Sequence, residues 1–429
     1  MYPVSAVLSS RFVHAAVFLM LALVWAQGLP SARSVDPLPA VNEGVTTAQT
    51  NQRRLVFEDL VYKGGFRLPP ERSNDDGFFG GGQALAFNPS VPSLFVSSFA
   101  GRVAEVTIPA SIVTGDPAEL PVATFLQGFS DPTGGRLLEA GSWGVLLSSL
   151  LVQNGRLFGT ASMYYDALND QRVSHFSRSL RLSDPGFQGW SQVWETGKAG
   201  YVAASLATVP VDWQQRLGGA MVSGQCCVPI VSRTSWGPAA FAFDPALIGQ
   251  ATVPASPLLY YNSEHPTLGS WSGPGNERYS QTAEVGGMVL VAGTRTALVF
   301  GRIGVGTACY GSGTNDPAMH EKPVPPSGTF KYCYDPAGVD NQGVHAYPYR
   351  YQVWAYDLND FAAVKAGSKR PWDVEPYGIW PLKFPISESR AIIGGVSYDV
   401  ARQTIYVTQR FADTDQYESR PVIHTFQIK

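Results

Sequence analysis

The chain has 429 residues and a formal net charge of -3, from 31 Lys plus Arg against 34 Asp plus Glu, and its charged fraction is 15% where soluble domains average about 25%. With 45% apolar and 12% aromatic residues there is enough material for a large core, which excludes a disordered tail protein. No window holds the dense Lys/Arg clusters that a phosphate backbone demands, so no nucleic-acid partner is expected.

Residues 1–28 read as a signal peptide: Arg11 and His14 precede an apolar stretch over 15–25, and the small residues Ala26 and Gly28 follow. That stretch is about half of what a bilayer-spanning helix needs. The mature chain is therefore expected to be secreted or periplasmic, with no integral membrane segment. The polar, Pro-containing residues 29–53 read as a flexible linker, leaving 54–429 as one domain.

From Leu55 onward, short runs rich in Val, Leu, Phe and Tyr alternate with Gly, Pro, Asn and Asp, the signature of an all-β body. A strand is expected over 55–62. A strand pair follows at 83–89 and 94–97, and it aligns with 394–400 and 405–408 at one constant offset of 311, so the unit is repeated. The pair recurs at 144–152 and 156–161 around Asn154-Gly155, a strong hairpin signal because both residues tolerate positive φ. Fainter copies occupy 202–209 with 219–223 and 287–293 with 296–301. Third strands are expected at 102–108, 173–182, 239–243, 351–356 and 422–428, several ending in a turn and a short helical step, as at Asp244-Pro245 and Asp357. Outer strands are expected at 122–126, 192–195, 258–261 and 378–384, one fewer than the third strands; 55–62 supplies the missing one by pairing with 422–428. Joining the two ends in one sheet removes an exposed edge. The expected architecture is a five-bladed β-propeller closed by its N-terminal and C-terminal strands, with more blades, a large sandwich or a β-helix as the competing arrangements.

In an antiparallel blade the loop from second to third strand and the crossover to the next blade emerge on the same side. That face receives 163–172, 224–238, 304–350 and 411–420, together with the crossovers 64–82, 128–143, 197–201, 262–281 and 385–393. Binding pockets are concave and lined by aromatics with a few convergent polar groups. The candidate ligand-binding residues are accordingly Trp143, Tyr164, Tyr165, His265, Trp271, Arg278, His345 and Tyr347.

All four cysteines fall on the same loops, and outside the cytoplasm an even number reads as disulfides. One pairing joins Cys309 to Cys333 and leaves Cys226-Cys227 as a vicinal disulfide or free; the other ties Cys226 and Cys227 to Cys309 and Cys333. No zinc-ligand spacing is present and no cofactor is expected, although Asn74-Asp75-Asp76 and Asp413-Thr-Asp415 are oxygen-rich enough for Ca²⁺ to be considered. Arg278, Arg295 and Arg302 could meet an anionic ligand or pair with neighbouring acids.

The insertion at 304–350 contains Cys309-Tyr-Gly-Ser-Gly-Thr314, Cys333-Tyr-Asp-Pro336 and His345-Ala-Tyr-Pro-Tyr349. This string resembles uncharacterised secreted bacterial β-propeller proteins, a resemblance that implies no activity. The architecture is also similar to that of five-bladed propeller glycosidases, by analogy of fold alone. Glycoside hydrolysis needs two carboxylates about 5–9 Å apart. The analogy directs attention to Asp75 and Asp76 before the first inner strand, and Glu139 and Glu277 precede later ones. The expected function is an exported propeller that binds a glycan, polymer or protein through its loop-rich face; the alternative is a glycoside hydrolase or lyase using paired carboxylates at the channel mouth.

Overall fold

The computed structural model describes residues 52–70, 77–142, 144–227, 233–261, 264–265, 269–270, 278, 280–326, 328–386, 392–414 and 419–429. These are all-β, with α-helix confined to Ala199–Val202, Val211–Leu217 and Leu358–Lys365. Sheet I comprises Leu85–Asn88, Ser93–Ser97, Val103–Thr107 and Phe125–Ser130. Sheet II comprises Val145–Gln153, Arg156–Met163, His175–Ser179 and Gln188–Val193, with Thr252–Val253 added in parallel at its outer edge. Sheet III is built from Ala204–Thr208, Met221–Gly224, Ala240–Phe243 and Ala255–Leu259, and sheet IV from Glu284–Leu290, Thr296–Gly304, Tyr349–Asp357 and Gly378–Pro381. Sheet V takes Ile393–Asp399, Thr404–Thr414 and Ser419–Ile428 from one end of the chain and Leu60–Arg67 from the other. The two ends pair antiparallel, from Leu60 opposite Ile428 to Arg67 opposite Val422.

The apolar runs along the strands follow from how the sheets stack, because a sheet covered on both faces has no polar side. In strand Thr296–Gly304, Ala297 and Val299 pack toward Val222 and Ala242 of sheet III, whereas Leu298 and Phe300 pack toward Ile405 and Val407 of sheet V. Successive side chains point to opposite faces, so Ala-Leu-Val-Phe is apolar throughout. The same logic joins sheet I to sheet II through Phe95, Leu147 and Phe176, sheet II to sheet III through Phe158, Met221 and Phe243, and sheet V to sheet I through Tyr406, Leu85 and Phe66.

Where first strands of neighbouring sheets meet, the side chains give out and backbone touches backbone. A Cβ on Gly394 would collide with the carbonyl oxygen of Gly82, and one on Gly286 with the carbonyl oxygen of Gly394. The Gly395 amide donates to that same Gly82 oxygen at 2.8 Å. Only glycine permits so close an approach.

The expected elements are present, with several displacements. The first strand is Leu60–Arg67 rather than 55–62, because Phe57–Asp59 turns as a 3-10 helix and the Leu55 amide donates to Thr296 Oγ1 at 2.9 Å, fastening this stretch to sheet IV. The packed body begins slightly before residue 54: Gln52 accepts from Trp213 Nε1 at 3.1 Å. The insertion is not a simple loop, since Cys309–Thr314, Tyr332–Tyr334 and Gln342–His345 form a three-stranded sheet of their own. The segments expected as signal peptide and most of the linker lie outside the described residues. Among the described residues no helix is long and apolar enough to cross a membrane.

The glycine contacts give a direct test. Gly394→Val should cost more than about 3 kcal/mol, in the range of severe core disruption. Gly128, exposed and with nothing within 4 Å of an added Cβ, should accept Ala within about 0.5 kcal/mol. Thermal unfolding of the two variants beside the parent measures both.

Candidate functional site

The loops after second strands and before first strands touch one another, so they share a face. Arg410, late in the second strand of sheet V, donates to the carbonyls of Gly80 and Gly81 and to Gln83 Oε1 at 2.7 Å, all just ahead of sheet I. From sheet II, the Asn169 amide, oriented by its partners, donates to Gly197 O at 2.9 Å and accepts from Arg233 Nη1 at 3.2 Å. A Cβ at Gly101 of sheet I would touch Leu137, ahead of sheet II.

A polar cluster forms where these loops converge. Glu284 and Arg302 are register partners in sheet IV and form an ion pair at 2.5 Å. Burial opposes the Arg302 cation, but Glu284 outweighs it and raises the guanidinium further, so the arginine is permanently charged. Its guanidinium lies 4.3 Å from the centre of the Tyr349 ring, a cation–π contact. The Tyr349 hydroxyl donates to Asp335 Oδ2 at 2.8 Å, the atom that also receives His345 Nδ1 at 2.7 Å. From sheet II, Tyr164 is 55% exposed yet feels the same charges: desolvation of its hydroxyl and Glu284 push it up to about 12, while Arg302 and Arg410 pull the other way. Tyr164 is a neutral hydrogen-bonding group at ordinary pH.

The expected site residues divide into several groups. Tyr164, Tyr165 and Tyr347 are exposed on the loop face. His345, a candidate ligand-binding residue, is buried inside the insertion, its nitrogens occupied by Asp335 and by the Asn341 carbonyl at 3.1 Å. Arg278, Arg295 and Arg302 all pair with acids, namely Glu375, Asp357 and Glu284. Glu139 is an exposed partner of Arg136 at 2.9 Å, and solvent around that pair screens it. Asp413, considered for Ca²⁺, is buried against Arg420 at 3.2 Å, a cation already supplied by the chain. The disulfides follow the first of the two pairings, Cys226–Cys227 and Cys309–Cys333. Asp75, Asp76, Trp143, Trp271, Glu277 and Asp415 lie outside the described residues, and of His265 only the backbone is described, in the short strand Glu264–His265.

Sequence reasoning missed Glu284, Gln83, Asp335 and Arg410 as members of one cluster. Glu284 and Arg302 face each other across a hairpin, so pairing the two strands in register would have found them; Asp335 is joined to His345 and Tyr349 within the insertion and the strand after it, and Gln83 to Arg410 only by the meeting of sheets V and I. Phe57 apart, every exposed Phe or Tyr ring among the described residues lies on this face: Phe79, Phe99, Tyr164, Tyr165, Tyr310, Phe330 and Tyr347. Phe57 lies at the far end of sheet V, at the start of its outer strand.

Comparison with known proteins finds no matching family model and no curated relative. Among solved structures the chain is similar to a member of the GH130 family of mannoside phosphorylases, which contains hydrolases targeting β-1,2 mannosidic linkages in Candida mannan. The identity is 10%, covering 87% of this chain and 97% of that one at a TM-score of 0.42. It is also similar to a Bacillus subtilis arabinanase (9% identity, 85% and 96% covered, TM-score 0.40) and to a luciferin-regenerating enzyme (10% identity, 82% and 92% covered, TM-score 0.35). These similarities assign no activity to this chain.

Asp335 makes the insertion sensitive to acid. Burial alone would raise this carboxyl, yet the hydrogen bonds from His345 and Tyr349 prevail and hold it below the usual carboxylate range. A depressed carboxylate contributes stability that is present above its unfolded value near pH 4 and lost as pH falls through the lowered folded value. Asp335→Asn should reproduce the acid effect at neutral pH. Losing a charged, buried acceptor costs about 2–3 kcal/mol, so amide exchange in Tyr332–Tyr334 and Gln342–His345 should accelerate by roughly 30- to 150-fold, with little change in sheet II.

Proposed function

We propose that this chain is an exported five-bladed β-propeller, closed by pairing of its first and last strands, that binds a carbohydrate polymer across its loop face. The closed arrangement is supported by five sheets of like order, each stacked on two others, with sheet V returning to sheet I. Two disulfides on the loop face suit an oxidising compartment.

The observation that carries the binding reading is the segregation of exposed aromatic rings to one face. Exposed rings cost free energy in water, and amphipathic rings beside fixed polar groups suit the two-sided chemistry of a sugar, with C–H faces to stack and hydroxyls to hydrogen-bond. On that face, Tyr164 offers a ring and a neutral hydroxyl, while Glu284 and Arg302 offer a fixed acceptor and donor. The Arg302–Glu284 pair neutralises itself, which suits a neutral glycan.

Affinity electrophoresis of the mature protein in gels containing neutral plant and microbial polysaccharides tests this. At least one should retard the protein, and Tyr164→Ala should weaken that retardation by about 1–2 kcal/mol, roughly five- to thirtyfold. Phe57→Ala, at the far end of sheet V, should leave it unchanged. Absence of retardation across the panel defeats the reading, while release of new reducing ends that disappears in Glu284→Gln would replace it with the hydrolase alternative.

A further inference from the structure

The two disulfides sit in opposite environments. Cys309 and Cys333 are 4% and 0% exposed inside the insertion, and their bridge spans a separation of 24 residues. Cys226 and Cys227 are adjacent in the chain. Chain-entropy stabilisation grows with the length of the loop that a disulfide closes, so this second bridge contributes almost nothing to the fold by that route. Its backbone is costly as well. Cys227 has φ 58°, in the left-handed region that a residue with a Cβ rarely adopts and that persists only where the surroundings impose it.

The two adjacent sulfurs differ in access. Cys226 is buried with Ala203 and Ala204, while Cys227 is half-buried and lines a small cleft, partly open to solvent, with Met163, Asp166, Asn169 and Arg233. The Cys226 amide donates to the Gly200 carbonyl oxygen at 3.2 Å, fastening it to the helical turn Ala199–Val202. That same oxygen lies 3.7 Å from Cys226 Sγ. A disulfide sulfur has no hydrogen to offer a carbonyl, whereas a thiol does. The reduced form of Cys226 therefore finds its hydrogen-bond partner already in place. At the mouth, Arg233 donates to the neutral Asn169 amide, and Asp166 is engaged by the amides of Asp170 and Gln171 in its own loop. A guanidinium beside an exposed sulfur favours thiolate chemistry.

We propose that Cys226–Cys227 is a thiol-exchange site, a reversible two-electron couple that reacts with a small external dithiol at this cleft. One thiolate of the dithiol attacks Cys227 Sγ. The bond between the two cysteine sulfurs breaks, and its electron pair passes to Cys226 Sγ, which takes a proton from water and turns to the Gly200 carbonyl. The second thiol of the reagent gives its proton to water and attacks the reagent sulfur held on Cys227. Cys227 leaves as a thiolate and is protonated, and the reagent departs as a cyclic disulfide. The dithiol is thus oxidised by two electrons, and the protein disulfide is reduced to two thiols. Reduction releases Cys227 from its left-handed backbone and leaves the buried bridge of the insertion untouched. The site is independent of carbohydrate binding.

The test treats the native protein with millimolar dithiothreitol at about pH 8, quenches in acid, and labels free thiols with N-ethylmaleimide after unfolding. Peptide mass spectrometry then follows each pair separately. Thiols at Cys226 and Cys227 should appear about tenfold faster or more than those at Cys309 and Cys333, and oxidised dithiothreitol should close the pair again. Equal rates, earlier release of Cys309 and Cys333, or release of Cys226 and Cys227 only at the rate of global unfolding in the same buffer would overturn the proposal. Single variants check which sulfur is attacked. Oxidised glutathione should form a mixed disulfide with Cys227 in folded Cys226→Ser and leave the buried Cys226 of Cys227→Ser unmodified; the reverse pattern would exclude attack at Cys227.

Discussion

The antiparallel pairing of Leu60–Arg67 with Ser419–Ile428 is the contact on which the rest of the molecule depends. It joins residues more than 350 positions apart, from Leu60 with Ile428 to Arg67 with Val422. Without it, the third strand of sheet V would present an open edge, and Phe66 would leave the core it shares with Leu85, Tyr406 and Ile423. Closing so long a separation is entropically costly and slow, and the reward is collective: burial of both faces of each sheet becomes consistent only when sheet V also meets sheet I. In the proposed propeller this one pairing keeps every loop of the shared face in place.

The face so assembled is rigid where it carries charge. Arg302 is held between Glu284 and the Tyr349 ring, Tyr349 is held by Asp335, and Asp335 anchors His345 within an insertion that Cys309–Cys333 also cross-links. Each link limits the freedom of the next, so ligand contacts made there would lose little conformational entropy on binding. The insertion is thus a buttress for Tyr349 and Arg302, with His345 held inside it by Asp335.

Much of the fold was legible because strand pairs carry local signals. Asn154-Gly155 marks the hairpin of sheet II, Asp244 and Asp357 cap the helical turns that follow third strands, and the pair in sheet I matches the pair in sheet V along the chain. The errors occur where a distant partner decides. Thr296 draws Leu55 to sheet IV and delays the first strand to Leu60, and Thr252–Val253 crosses back to sheet II. Within the insertion, Asp335 and His345 are ten residues apart, and nothing in that spacing announces a buried pair.

Strand identity, the repeat, the sorting of loops by side and the placement of cysteines and tyrosines on one of those sides were properties of the sequence alone, because they arise from alternation and turn chemistry within a few residues. Which side chains meet was decided only by tertiary structure. Arg410 of sheet V meets Gln83 ahead of sheet I, and Phe158 of sheet II packs with Met221 and Phe243 of sheet III. Their partnership depends on how sheets stack and on glycines at 82, 286 and 394 that let backbones approach, distances that no local pattern encodes.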